Sequence, residues 1–171
     1  MFFPYKDDNP RVLFPYVTYI LITMNGVVFL TFTYYSFFID NTNWYFMFGF
    51  VPNSFSMISI ISSMFIHGGF GHILSNMWFL YIFGDNVESI LGHIKFLVFY
   101  FLCGFGAAFA QYLTDPYSSI PMVGASGAIA GVLGAYMISF PRAKVHVFAF
   151  IIIFITTLVV PAQLVLGLWF L

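Results

Sequence analysis

Hydrophobic positions in this chain run in long unbroken blocks, with the polar positions gathered between them. A membrane-crossing helix needs about 20 consecutive apolar residues, and five blocks approach or exceed that length. They cover about 14–38, 72–90, 94–113, 126–140 and 145–171, the last with a bend expected at Pro161. Residues 1–13 form a polar leading segment with Lys6, Asp7, Asp8 and Arg11. The first apolar block is long and has no small-residue cleavage site, so it reads as a retained helix and not a signal peptide. The connection from Ile39 to Gly71 carries Asn41, Asn43, Trp44, Tyr45 and Pro52, then an amphipathic stretch from Phe55 to Phe65. Tryptophan and tyrosine favour the membrane boundary, which predicts an interfacial, partly re-entrant connection. A shorter loop, Thr114 to Ala125, holds Asp115 and two prolines.

Composition turns this pattern into a class. The chain is 61% hydrophobic, 23% aromatic and 6% charged, whereas a soluble domain carries about a quarter charged residues. An all-α, polytopic membrane bundle is expected, with 14–171 as its transmembrane domain. Charge then sets the orientation. With the N-terminus in the cytoplasm, Lys6, Arg11, Lys95, Arg142 and Lys144, all the basic residues of the chain, fall on the cytoplasmic side. Asp40 and Asp115 fall outside. The fourth block is short: its residues at about 1.5 Å each reach roughly 22 Å, against about 30 Å of hydrocarbon. Its head at Ser126 is therefore expected below the outer surface, facing a hydrated pocket. The single Cys103, in an apolar run, reads as a small buried hydrophobe.

That head carries the candidate chemistry. Ser126, in Gly124-Ala125-Ser126-Gly127, begins a helix whose unpaired N–H groups and dipole favour negative charge nearby. Gly127, Gly131 and Gly134 give the same helix a small-residue face for close packing. The plain alternative is that Ser126 is only a helix cap. One helix pair earlier, His72 and Asn76 stand at i and i+4 on one face. Two roles stay open for them: hydrogen bonds between helices, or donors to an oxyanion beside Ser126.

The stretches MFIHGGFGHILSNMWFLYIFGDNVE and PMVGASGAIAGVLGAY, with FGFVP before and FPRAKV after, resemble the second and fourth helices of the rhomboid intramembrane serine proteases. The likeness runs from about residue 11 to the last residue. It implies that Ser126 is the nucleophile, that His72 and Asn76 help form the oxyanion hole, and that His67 is structural. It also implies transmembrane protein substrates cleaved near the outer face, in a setting such as a bacterial inner membrane, with no cofactor.

The family places its general base, a histidine, on a sixth helix. This sequence ends with its fifth block and is expected to lack that helix. His93 and His146 are expected in cytoplasmic turns, out of reach of Ser126, and His72 as base would compete with its oxyanion role. Three readings stay open: an incomplete stretch of a longer protein, a second chain supplying the helix, or a non-catalytic relative that binds transmembrane clients. Asp85 and Glu88 read as a charged cytoplasmic turn. No spacing suits a metal, a nucleotide or a nucleic acid.

Overall fold

A computed structural model describes residues 2–10, 12–38, 43–151 and 154–169. Arg11, Asp40 and Asn41, used above, lie outside the described residues, as do the last two positions. Four apolar blocks form helices: α1 (Tyr16–Phe38), α4 (Phe70–Leu91), α5 (His93–Thr114) and α6 (Ser126–Ser139). Between α1 and α4 the long connection folds into α2 (Trp44–Phe48), a 3-10 turn (Pro52–Ser54) and α3 (Met57–Ser63). By length and composition, α1 and α5 suffice to cross a membrane, while α6 is a shorter apolar helix.

The bundle is organised about α6, where Ile129, Val132, Leu133 and Tyr136 are fully buried against Leu80, Phe83 and Tyr100. The outward faces of α1 and α5 are apolar and exposed, with Leu30 at 68% and Ile94 at 75%. Such faces suit lipid, not water, and complete a helical membrane bundle. Helices α4 and α5 meet at Gly92, whose φ of +75° a side chain would strain. Its N–H closes the last turn of α4 on the Glu88 carbonyl, 2.7 Å away.

Two expectations are corrected. The block 145–171 is not a fifth helix. It forms β2 (Lys144–Ile151) and β3 (Phe154–Pro161), an antiparallel hairpin, followed by the short helix α7 (Ala162–Trp169). Pro161 does mark the bend, as the end of β3. The reason lies in residue type: Val145, Val147, Ile155, Thr156, Thr157, Val159 and Val160 are β-branched and favour extended backbone. The polar leading segment supplies a partner, β1 (Phe2–Asp7), giving the sheet order β1-β2-β3. Pro4, which has no N–H to donate, fits the edge strand it occupies, beside a register shift.

Asp85 and Glu88 are not in a solvated turn either. Both lie inside α4 and are buried. The Glu88 carboxylate accepts from the Val17 and Thr18 N–H groups (2.9 and 2.8 Å) and the Thr18 hydroxyl (2.7 Å), capping the otherwise unpaired first turn of α1.

Candidate active site

The approach to Ser126 is held by backbone hydrogen bonds from the long connection. Phe50 and Met122 exchange both N–H···O bonds, at 3.0 and 2.8 Å. The Asn53 N–H donates to Ser118 O (3.1 Å) and the Gly124 N–H to Ser63 O (2.8 Å). The Ala125 N–H points at Nε2 of His67, 3.4 Å away. Gly124 sits at φ +113°, a conformation open to glycine and costly for other residues. The Gly-Ala approach is thus a turn that delivers Ser126 to the helix start at one fixed place.

Ser126 is the first residue of α6, and Ala125 takes the cap position without a side-chain bond. The cap reading of Ser126 therefore fails. The first intrahelical bond runs from Ile129 N–H to Ala125 O (3.0 Å), so the N–H groups of residues 126–128 have no partner within the helix. The serine is half-buried. Among the described residues its hydroxyl takes part in no hydrogen bond.

His72 lies directly over this turn. A methyl placed on Gly124 would stand 2.6 Å from its Cε1 and 2.7 Å from its Nε2. Its other nitrogen, Nδ1, accepts from the Gly68 N–H at 3.3 Å. In the neutral ring that assigns the proton to Nε2, on the side facing Gly124. His72 is thereby set as a donor toward the turn that precedes Ser126. Asn76, 3% exposed, gives one amide hydrogen to His72 O at 2.8 Å. Its buried Oδ1 has no partner among the described residues.

His67, in the connection ahead of α4, uses both ring nitrogens: Nδ1 faces Phe65 O (3.4 Å) and Nε2 faces the Ala125 N–H. Its ring meets that of His72 edge to face, with centroids 5.1 Å apart. Burial, and then the neighbouring His72, lower its pKa to about 4, against the Phe65 carbonyl. It stays neutral and structural. The remaining histidines are engaged elsewhere. His93 opens α5 and pairs with Glu88, while His146 on β2 pairs with Asp8, each at 2.6 Å.

The Rhomboid domain family profile matches residues 54–171, more than half of the chain and inclusive of His72, Asn76 and Ser126. The chain belongs to the rhomboid family. Similar proteins include RHOMBOID-like protein 5 of Arabidopsis thaliana, 37% identical over 46% of this chain and 25% of that protein. A putative rhomboid protease of Bacillus subtilis, YdcA, is 36% identical over 46% of this chain and 39% of its own length. Rhomboid protein 1, mitochondrial, of Saccharomyces cerevisiae is 35% identical over 56% and 29% respectively. The chain thus spans well under half the length of these relatives. Rhomboids are integral membrane proteins that include serine proteases and inactive members.

The rhomboid site has parts that residue patterns did not reveal. The sequence offers no spacing that joins His67 to Ala125, or Ser63 to Gly124, because each link ends on a backbone N–H of a distant segment. The Gly68 N–H, four residues before His72, donates to its imidazole.

Proposed function

We propose that this rhomboid chain carries the acyl-transfer site of an intramembrane serine endopeptidase acting on transmembrane proteins near the outer membrane face. The reading rests on one observation above the rest: the His72 imidazole lies on Gly124 with its Nδ1 occupied by the Gly68 N–H. Such a ring donates through Nε2. In the proposed chemistry the Ser126 oxygen attacks a peptide carbonyl, and its proton leaves to a base. The oxygen of the tetrahedral intermediate takes hydrogen bonds from His72 Nε2, Asn76 Nδ2 and the helix N–H groups, donors fixed before charge develops. Water then releases the acyl-enzyme. The base is not one of the four histidines of this sequence in their described places. In the proposed orientation the N-terminus is cytoplasmic and Ser126 faces outward, at the head of a helix about 21 Å long.

A second reading has its own support. The Ser126 hydroxyl has no hydrogen-bonded partner among the described residues, and a serine without a base is a weak nucleophile. The same bundle would then bind transmembrane clients without cleaving them. Fluorophosphonate labelling of the reconstituted chain separates the two. A modified Ser126, lost in Ser126→Ala, supports the peptidase site. An unmodified Ser126 with client binding retained in Ser126→Ala supports the binding protein.

A further inference from the structure

The two edges of the sheet differ. β1, at one edge, is closed to further pairing by the devices that natural edge strands use. Pro4 has no N–H, and its carbonyl accepts from the Trp78 indole at 2.6 Å. The register shifts between Pro4 and Lys6, and Lys6 is exposed. β3, at the other edge, has none of these protections. Its 8 residues, Phe154–Pro161, hold no charge and no proline before the last position. Among the described residues only β2 pairs with it, in continuous register from Ile151–Phe154 to Lys144–Pro161. Alternate residues of β3 therefore turn their N–H and C=O groups to the free side. Thr156, Thr157, Leu158 and Val159 are exposed in succession, Leu158 at 37% and Val159 at 51%.

We propose that β3 pairs edge to edge with β3 of a second copy of this chain, antiparallel about a two-fold axis, joining two three-stranded sheets into one. The donors and acceptors along that edge are spaced for extended backbone. A second β3 arrives already extended, without the ordering cost that a flexible segment bears. A transmembrane client presents a helix, whose backbone groups are satisfied internally. Charge favours the same occupant. β3 meets itself with no like charges opposed, and Lys144 lies across from Pro161 in the hairpin. Antiparallel pairing thus sends the basic ends of the two hairpins, each with Arg142 and Lys144, to opposite ends of the joint. With the axis at Thr157, that residue faces its own copy and Thr156 faces Leu158; paired threonines are favourable cross-strand neighbours. β1 cannot extend the sheet further, so the assembly closes at two copies and does not grow into a filament. None of this depends on Ser126 being catalytic.

The chain has one cysteine, Cys103, so Cys103→Ala gives a background for single thiols. In vesicles at low protein density, Thr157→Cys is expected to form a disulfide-linked dimer on mild oxidation. Tyr117→Cys, at a position 88% exposed in the loop before α6, should stay monomeric. Light scattering of the unaltered full chain in detergent should give the mass of a dimer. Val159→Lys and Thr157→Lys, each placing a charge on the edge, should give a monomer with unchanged helical circular dichroism. These masses need no cysteine background, so they decide the point even if Cys103→Ala does not fold. A monomeric unaltered chain, a dimer that persists in both lysine variants, or equal cross-linking from Thr157→Cys and Tyr117→Cys would each overturn the proposal. So would an extended peptide that occupies the β3 edge of an unaltered chain while that chain stays monomeric.

Discussion

At the scale of single residues, the turn before Ser126 depends on two groups that do no chemistry themselves. Gly124 combines a φ of +113° with a Cβ position only 2.6 Å from the His72 ring. Gly124→Ala must therefore strain the backbone by on the order of 1–3 kcal/mol and push the imidazole aside. Loss of Ser126 labelling with the helical circular dichroism intact is the expected result. His67 acts through its neutral ring. Its pKa in the folded protein is about 4, below the ordinary value of 6.5. In that window the unfolded chain takes a proton that the folded site refuses. Its stabilising effect is complete above about pH 6.5 and is lost as pH falls from there toward about 4, on the order of 3 kcal/mol in all. Thermal unfolding midpoints in detergent should drop across that window, and His67→Asn should flatten the slope.

At the scale of elements, the α5–α6 contact is the tightest joint in the bundle. A Cβ on Gly127 would collide with Ala107, and one on Gly131 with Cys103, whereas Gly134 faces open space. Gly131→Leu is expected to cost about 1–3 kcal/mol or more through overpacking, while Gly134→Ala should be neutral or slightly stabilising. Urea or heat titration of the two variants checks the contrast. The Gly127 and Gly131 part of this face was legible in the sequence, while Gly134, expected in it, packs against nothing; helices α1, α4, α5 and α6 were legible too, because long apolar blocks and a Gly-x-x-x-Gly spacing express themselves locally. The hairpin was not. An apolar run reads alike as strand or helix by hydropathy, and the strand that pairs with β2 lies at the far end of the chain. Glu88 was missed for a similar reason. Its charge suggested solvent, but its partners are N–H groups of α1, some 70 residues earlier. Asp7 likewise gathers Tyr136, Asn86 and Asn9 at 2.7–3.1 Å, joining β1 to the tails of α4 and α6. Burial raises its pKa, against the hydrogen bonds from Tyr136 and Asn9.

At the scale of the whole molecule, the connection between α1 and α4, with His72 at the start of α4, converges on the head of the central helix. The bundle presents apolar faces outward, as a rhomboid in lipid requires, and keeps its donors at one end of α6. The central claim is that His72 serves there as a hydrogen-bond donor to a reactive Ser126, and not as its base. The rate of fluorophosphonate attachment to Ser126, mapped by mass spectrometry with and without added imidazole, tests it directly. Imidazole, standing in for a base, should accelerate labelling of the unaltered chain. His72→Ala should be slower by about 10²- to 10³-fold, the usual cost of one oxyanion donor, with imidazole and without it. A His72→Ala chain restored to the unaltered rate by imidazole, or a Ser126 that stays unlabelled in its presence, would contradict the claim.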